Sequence, residues 1–140
     1  MDTPKPPCLY RWHTVLLVDD ELEALSAVAR ELQREPYDIL RAESPRAALS
    51  WLLRKDVSLV IADRRMPEME GDRLLEEVWK RSPTTVGVIL SGYPGAETTE
   101  GSGRRPRCVL SKPWDGRELK RTVRTLLAER ERELARLIRR

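Results

Sequence analysis

The chain has few of the residues from which several common kinds of functional site are built. Its two cysteines, Cys8 and Cys108, lie far apart and fit neither a disulfide framework nor a zinc-binding pattern. Its single histidine, His13, precedes the first apolar run and is interpreted as structural rather than catalytic. No apolar run approaches the roughly 20 residues of a membrane span, and no signal-peptide core opens the sequence. We therefore expect a cytoplasmic protein with reduced thiols and no membrane partner.

Length and composition favour a single globular domain. A chain of 140 residues can form one ordinary domain with a substantial core but not two. Its 40% hydrophobic and 35% charged residues are typical of a folded rather than a disordered protein. The net charge of +3 is uneven, with acidic residues concentrated at positions 19–23 and 63–72 and arginines from Gly101 onward. Because such charge runs are usually solvated surfaces, nucleic-acid binding is not predicted.

Five short apolar runs alternate with helical patterns along the chain. Nearly continuous apolar runs are typical of parallel strands that are covered on both faces. The alternation with helices predicts an α/β domain, doubly wound, with helices on both faces of a parallel sheet. The predicted strands are residues 14–18, 37–42, 57–62, 85–90 and 108–111.

Four helices are predicted from their apolar faces and their start signals. Ser44 followed by Pro45 is an N-cap with proline in the first turn, and Asp115 with Glu118 has the spacing of a capping box. Pro36 ends the first helix, and the third ends before Ser82. The residues expected to face the core are Leu22, Leu25, Val28, Ala29, Leu32, Ala47, Ala48, Trp51, Leu52, Leu74, Leu75, Val78, Trp79, Leu119, Val123, Leu126 and Leu127.

Polar residues end or follow four of the five predicted strands. Asp19 and Asp20 follow the first, Asp63 follows the third, and Ser91 and Lys112 come at the ends of the fourth and fifth. Because the carboxyl ends of parallel strands meet at one edge of the sheet, we expect these five side chains to converge there. Taken singly, each is equally well interpreted as a helix cap or a turn residue. Together, and in this order, they indicate a functional site.

The chemistry of this set points to phosphoryl transfer. Three carboxylates in one cleft repel one another, and a cation makes the arrangement tolerable. An oxygen-only set with few protein ligands suits Mg²⁺, which keeps several waters and readily shares a phosphate. A carboxylate beside such a metal can act as a nucleophile towards phosphorus. A lysine then neutralises phosphate charge, and a hydroxyl can donate a hydrogen bond to a phosphoryl oxygen.

In these residues the sequence resembles the receiver domain of two-component response regulators. The matching pieces are VLLVDDE, LVIADRRMPEMEG, ILSGY and LSKPWDGREL, which together span residues 14–127. The resemblance implies a flavodoxin-like, five-stranded sheet in the order 2-1-3-4-5. It also implies a receiver that phosphorylates itself from the phosphohistidine of a sensor histidine kinase or phosphotransfer protein, and not a turnover enzyme. The pieces SGYP and KPWD are most similar to receivers attached to cyclic-di-GMP phosphodiesterases.

The resemblance also implies a role for each matching residue. Asp63 would be the phosphoacceptor, and Asp20 and Asp63 would hold Mg²⁺ together with the backbone carbonyl of Arg65, while Asp19 would assist through water. Three further residues would act on the phosphoryl group or hold its surroundings. These are Lys112 as phosphate contact, Pro113 in a cis peptide bond with Lys112, and Ser91 as the switch hydroxyl.

Two segments depart from the pattern of the resembling family. Receivers usually carry tyrosine or phenylalanine three residues before the lysine, where this chain has Val109, which cannot act as a rotating ring. Their fourth helix would fall on Gly95–Arg107, which is rich in glycine and lacks an apolar stripe. We expect this helix to be degraded or disordered, with a short frayed helix at best near residues 94–100. The segment is either a regulated loop or a decayed helix without a role.

These predictions divide the chain into three parts and leave three functions open. We expect a flexible tail over residues 1–13, the receiver over 14–127, and a helical extension over 128–140 that dimerises, packs on a neighbour or leads to an output domain. The leading function is a phosphorylation-controlled switch that acts on an output protein or a fused output domain. Val109 favours the alternative, a non-switching receiver-like adaptor for protein interaction. A phosphatase with an aspartyl nucleophile is the third, although Arg65 stands where such enzymes usually have a second acid.

Overall fold

Strands and helices alternate along the part of the chain that this computed structural model describes, residues 13–92 and 103–138. The tail before residue 13, residues 93–102 and the last two residues lie outside it, and the predictions made for them remain predictions. His13, which we assigned to the tail, is the first residue of the first strand. The elements are β1 (His13–Val18), α1 (Leu22–Leu32), β2 (Tyr37–Ala42), α2 (Pro45–Arg54), β3 (Leu59–Asp63), α3 (Gly71–Arg81), β4 (Val86–Ser91), β5 (Cys108–Ser111) and α4 (Gly116–Ile138).

The five strands form one parallel sheet in the order β2-β1-β3-β4-β5, which confirms the predicted flavodoxin-like topology. Because successive side chains of a strand point to opposite faces, each strand contributes to two cores. Val15 and Leu17 pack with residues of α1 and α4, whereas Leu16 and Val18 pack with residues of α2 and α3. The sheet is thus covered on both faces, as its nearly continuous apolar strands require.

The predicted helix starts are confirmed by their hydrogen bonds. The Ser44 hydroxyl accepts from the backbone N–H of Ala47 at 3.1 Å, with Pro45 in the first turn. An Asp115 carboxylate oxygen accepts from the backbone N–H of Arg117 at 2.7 Å at the start of α4. Each cap satisfies a backbone donor that the first turn of a helix leaves without a partner in the helix.

Some residues expected in the core are not buried. Leu22 is 60% exposed because it is the first residue of α1, at the end of the helix. On α2 only Ala48 of the four predicted residues is fully buried, and the other three are partly exposed. Trp51 lies at the margin of this core, where its indole N–H donates to the carbonyl of Arg41 at 2.9 Å and the Arg54 guanidinium covers the ring.

Two strands run one residue further than predicted, and this shift matters for the site. β3 ends on Asp63 and β4 ends on Ser91. The Arg64 N–H donates to the Leu90 carbonyl at 2.9 Å, and the Lys112 N–H donates to the Ser91 carbonyl at 2.8 Å. Inter-strand hydrogen bonds therefore continue to the polar residues at the strand ends, and they restrain the backbone there.

The last helix is a single element of 23 residues, which confirms the predicted extension of α4. Its first half is held by buried leucines and valine, and its second half by polar contacts with the opposite end of the sheet. Arg130 donates from Nε to the Thr84 carbonyl at 2.9 Å, and Arg107 pairs with Glu129 at 2.6 Å. Residues 103–107, which precede β5, are not helical. Within the described ranges, none of the helices is both long and apolar enough to cross a bilayer.

Candidate functional site

The carboxyl ends of four adjacent strands bring the predicted site residues to one edge of the sheet. Val18 lies in register with Ala62, Asp63 with Leu90, and Ser91 with Ser111. Residues that come directly after these positions must therefore lie side by side along that edge. The convergence predicted from the sequence is present in the structure.

Three carboxylates meet at this edge. One carboxylate oxygen from each of Asp19, Asp20 and Asp63 lies within 4.8 Å of the others. Asp19 is buried, Asp63 is half-buried and Asp20 is exposed, so the cluster opens to solvent on one side. The backbone N–H of Glu21 donates to Asp19 at 3.0 Å and holds that carboxylate in place.

Burial makes the charge on Asp19 costly. Removal from water, the largest cause, raises the pKa of the Asp19 carboxyl to about 6 from an ordinary 3.8, and the neighbouring charges of Asp63 and Asp20 raise it further. The Glu21 N–H and the Lys112 ammonium act in the opposite direction. Because burial and, to a lesser degree, like charges disfavour the ionised carboxylate, a bound cation would stabilise this site.

Lys112 supplies a positive charge to the cluster. Its Nζ lies 2.8 Å from Oδ1 of Asp63, in a pair whose side chains are 35% and 12% exposed. The following peptide bond, Lys112–Pro113, is cis, as predicted. The lysine side chain therefore reaches from β5 across β4 to the last residue of β3.

Arg64 directly follows Asp63 and is not among the site residues predicted from the sequence. Arg64 is 9% exposed, and its Nε donates to Oδ1 of Asp72 at 3.0 Å. Its Nη1 donates to the Ser91 hydroxyl at 3.3 Å. The available signal was the strand alternation, because Arg64 follows Ala62 by two residues and falls on the face that α3 covers.

Arg65 and Val109 are the remaining predicted residues. Arg65 is exposed in the loop after β3, and the metal-binding role of its carbonyl remains a prediction. Val109 lies in β5 opposite Ile89 and is 36% exposed. The surface of β5 therefore has a small side chain at the position where receivers usually carry an aromatic ring.

This arrangement suits a carboxylate that acts as a nucleophile next to a bound cation. The carboxylate of Asp63 is partly exposed, has a neighbouring ammonium at hydrogen-bond distance, and lies among carboxylate oxygens that suit a hard divalent ion. A hydroxyl at the end of the adjacent strand completes the set.

Comparison with known proteins identifies the family of this domain. The sequence matches the family described as "Response regulator receiver domain" over residues 15–124. The chain is 36% identical over 113 residues to the hydrogenase transcriptional regulatory protein HoxA of Cupriavidus necator, a match that covers 79% of this chain and 23% of HoxA. It is 32% identical over 121 residues to the sensor kinase CckA of Brucella abortus, covering 84% of this chain and 13% of CckA.

A solved structure gives the same result. The signal receiver domain of an HD domain-containing protein from Pseudomonas fluorescens Pf-5 has a TM-score of 0.78 and 31% identity, over 86% of this chain and 98% of that one. The chain thus spans nearly the whole of a solved receiver domain but less than a quarter of the curated relatives HoxA and CckA. With the family match extending over most of its length, the chain belongs to the response regulator receiver domain family.

Proposed function

We propose that this receiver domain accepts a phosphoryl group on Asp63 from a phosphohistidine and signals the modification through a conformational switch. The observation that supports the proposal best is the position of the Asp63 carboxylate, which has Lys112 at 2.8 Å and two further carboxylates within 4.8 Å. A carboxylate at hydrogen-bond distance from a lysine is already next to the charge that a bound phosphoryl group needs.

The transfer is a displacement at phosphorus. A carboxylate oxygen of Asp63 forms a bond to phosphorus while the bond from phosphorus to the donor's imidazole nitrogen breaks, and the imidazole keeps that electron pair. Lys112 neutralises charge on the phosphoryl oxygens, and the Ser91 hydroxyl donates a hydrogen bond to one of them. This last contact links the modification to the end of β4.

A divalent cation is part of the proposal because the acids present fit one. Asp19, Asp20 and Asp63 offer oxygen ligands only. Burial first and the neighbouring acids second raise the pKa of Asp19, and a bound cation would offset both by stabilising the ionised carboxylate. The residues that would hold Mg²⁺ are these three acids and the backbone carbonyl of Arg65. When bound, Mg²⁺ supplies positive charge that stabilises the charge on the transferring phosphoryl group.

The partners follow from the chemistry and from the size of the relatives. Receiver domains of response regulators interact with histidine kinases and output domains. For this chain we propose a sensor histidine kinase or phosphotransfer protein as donor and an output protein or fused output domain as recipient, in the cytoplasm. A homodimer formed through α4 is consistent with the exposed Leu137 and Ile138 near its end.

The adaptor is the second candidate, and Val109 is the observation that favours it. Without a ring at this position, movement of Ser91 has no aromatic side chain to draw inward, so that step of signalling is lost. The adaptor would keep the fold and bind its partner equally well with and without phosphate.

One experiment separates these functions. The protein is incubated with Mg²⁺ and a small phosphodonor, and we expect an acid-stable, alkali-labile adduct that is lost in Asp63→Asn. Asp56→Asn is the matched control, because Asp56 is an exposed aspartate in the loop that enters β3 at the opposite end of that strand. Absence of an adduct with every donor would favour the adaptor, and catalytic turnover of phosphoesters would favour the phosphatase.

A further inference from the structure

Arg64 joins the switch hydroxyl to α3 through a buried guanidinium, a contact that the phosphoryl chemistry does not require. It lies directly after the proposed phosphoacceptor, and its side chain extends between the first turn of α3 and the end of β4. Its backbone is also restrained, because the Gly71 N–H donates to the Arg64 carbonyl at 2.9 Å.

The guanidinium is fixed in direction by Asp72. Nε donates to Oδ1 at 3.0 Å and Nη2 to Oδ2 at 3.4 Å, so both oxygens of the carboxylate face the planar group. The two side chains are only 10% and 14% exposed. A bidentate pair with little exposure leaves the guanidinium plane almost no freedom to rotate.

Ser91 receives an N–H from this fixed plane. Nη1 of Arg64 lies 3.3 Å from the Ser91 hydroxyl oxygen in a buried contact. A guanidinium has donors but no acceptor, so the serine oxygen accepts in this bond. Asp72 therefore acts on that oxygen at the end of β4 through Arg64.

We propose that Arg64 is a positioning residue that holds the Ser91 hydroxyl in its resting orientation and so opposes activation. Movement of Ser91 towards a phosphoryl group on Asp63 stretches or breaks its hydrogen bond with Arg64. The free energy of that hydrogen bond therefore opposes the change from the resting to the activated conformation. The inference rests on the proposed function, because it needs Ser91 to act as the switch.

Removing the hydrogen bond from Arg64 to Ser91 should tighten the binding of a phosphoryl mimic. Beryllofluoride with Mg²⁺ is the probe, and its apparent dissociation constant is measured by calorimetric titration. Loss of one hydrogen bond of ordinary strength predicts binding about three- to tenfold tighter in Arg64→Met combined with Asp72→Leu. This double variant replaces both charges by apolar side chains and avoids leaving a buried carboxylate without its partner.

The role of Ser91 is isolated by repeating the measurement in a second background. In Ser91→Ala the same Arg64 and Asp72 substitutions should leave the affinity unchanged, because the hydroxyl that Arg64 holds is gone. Arg64→Lys is the conservative variant. An ammonium lacks the planar fork that binds both carboxylate oxygens and the hydroxyl together, so the affinity of this variant for beryllofluoride should lie between those of the wild type and the double variant. Thermal unfolding of each variant verifies that it is folded.

The outcomes separate the two proposals. If the wild type does not bind beryllofluoride, the proposed function fails and the role of Arg64 fails with it. If the wild type binds but the double variant binds equally or more weakly, only the role of Arg64 is overturned. An equal gain in affinity with Ser91 present and in the Ser91→Ala background would also overturn it, because a general structural effect does not depend on that hydroxyl.

Discussion

At the carboxyl edge of the sheet three carboxylates crowd around one lysine, whereas at the amino edge cations and anions meet in pairs. Contacts at the amino edge tie the second half of α4 to the rest of the domain. Arg107 pairs with Glu129 at 2.6 Å, and the partly buried imidazole of His13, whose pKa burial lowers, lies 3.6 Å from Glu131. Beside them the buried Thr85 hydroxyl donates to the Val57 carbonyl at 2.8 Å. One edge therefore retains repulsion that a ligand can relieve, and the other satisfies its charges within the chain.

The two edges also respond to pH in opposite directions. Burial raises the pKa of Asp19 to about 6, so its folded form binds more protons than its unfolded form and stability falls as pH rises from about 4 to 6. Burial is also the largest cause that lowers the pKa of His13 below 6.5, while Glu131 opposes this and Arg130 adds to it. The stability that the neutral His13 side chain contributes is therefore lost as pH falls below about 6.5.

The largest expected effect at the carboxyl edge comes from Gly71, where α3 begins directly against β3. A Cβ at this position would lie 2.4 Å from the backbone carbonyl oxygen of Asp63 and 2.9 Å from the Ile89 side chain. Because a backbone atom cannot move aside cheaply, Gly71→Ala should lower the free energy of unfolding by about 3 kcal/mol, as overpacked cores do. Urea unfolding monitored by circular dichroism measures the change.

Gly92 provides a matched control for this substitution. A Cβ at Gly92 would meet no atom of the described residues within 4 Å, although Gly92 follows Ser91 at the same edge. Gly92→Ala should be between neutral and about 1 kcal/mol stabilising, because it restricts the unfolded chain. Equal losses in the two variants would show that close approach at Gly71 is not the cause.

The next largest effect should come from removing the buried charge of Asp19. At pH 7.5 without divalent cations, Asp19→Asn should raise the free energy of unfolding by on the order of 2 kcal/mol. The substitution removes the negative charge of a carboxyl whose pKa burial raises to about 6. The gain should disappear below about pH 4, where the wild-type carboxyl is protonated in the folded and the unfolded chain. Urea unfolding between about pH 3 and pH 8 measures this dependence.

Asp20→Asn is the comparison variant for Asp19. Asp20 belongs to the same cluster but is exposed, so water already stabilises its charge and the gain should be smaller. A larger gain at Asp20 than at Asp19 would mean that burial does not cause the cost at this edge.

The smallest effect should come from the amino edge. Arg107→Ala should destabilise the protein by less than about 1 kcal/mol, because its pair with Glu129 is 54% and 32% exposed and water screens such pairs. The effect should shrink further in 1 M salt, where the screening length is about 3 Å. Thermal unfolding of Arg107→Ala and Glu129→Gln at low and high salt tests this, and a loss that salt does not reduce would contradict it.

Most of the fold could be predicted from the sequence because its signals are local. Apolar strands, the Ser44 and Asp115 caps and the alternation of elements specify which segments form, and the carboxyl-end rule then places Asp63 and Lys112 together. Errors occurred where burial depends on neighbours in space. Leu22 and Trp51 have the right periodicity, but one lies at the end of a helix and the other at the margin of the core.

The sequence pattern by itself determined the parallel sheet and the set of acids, serine and lysine at one edge, because the carboxyl ends of parallel strands meet there. The order of the strands was an implication of the resemblance to receiver domains. Only the tertiary structure decided which of two adjacent arginines is buried. Strand alternation and the approach of α3 direct Arg64 inward to Asp72 and Ser91, whereas Arg65 is exposed. A guanidinium is buried only where a carboxylate compensates its lost hydration, and that partner comes from a different element of the fold.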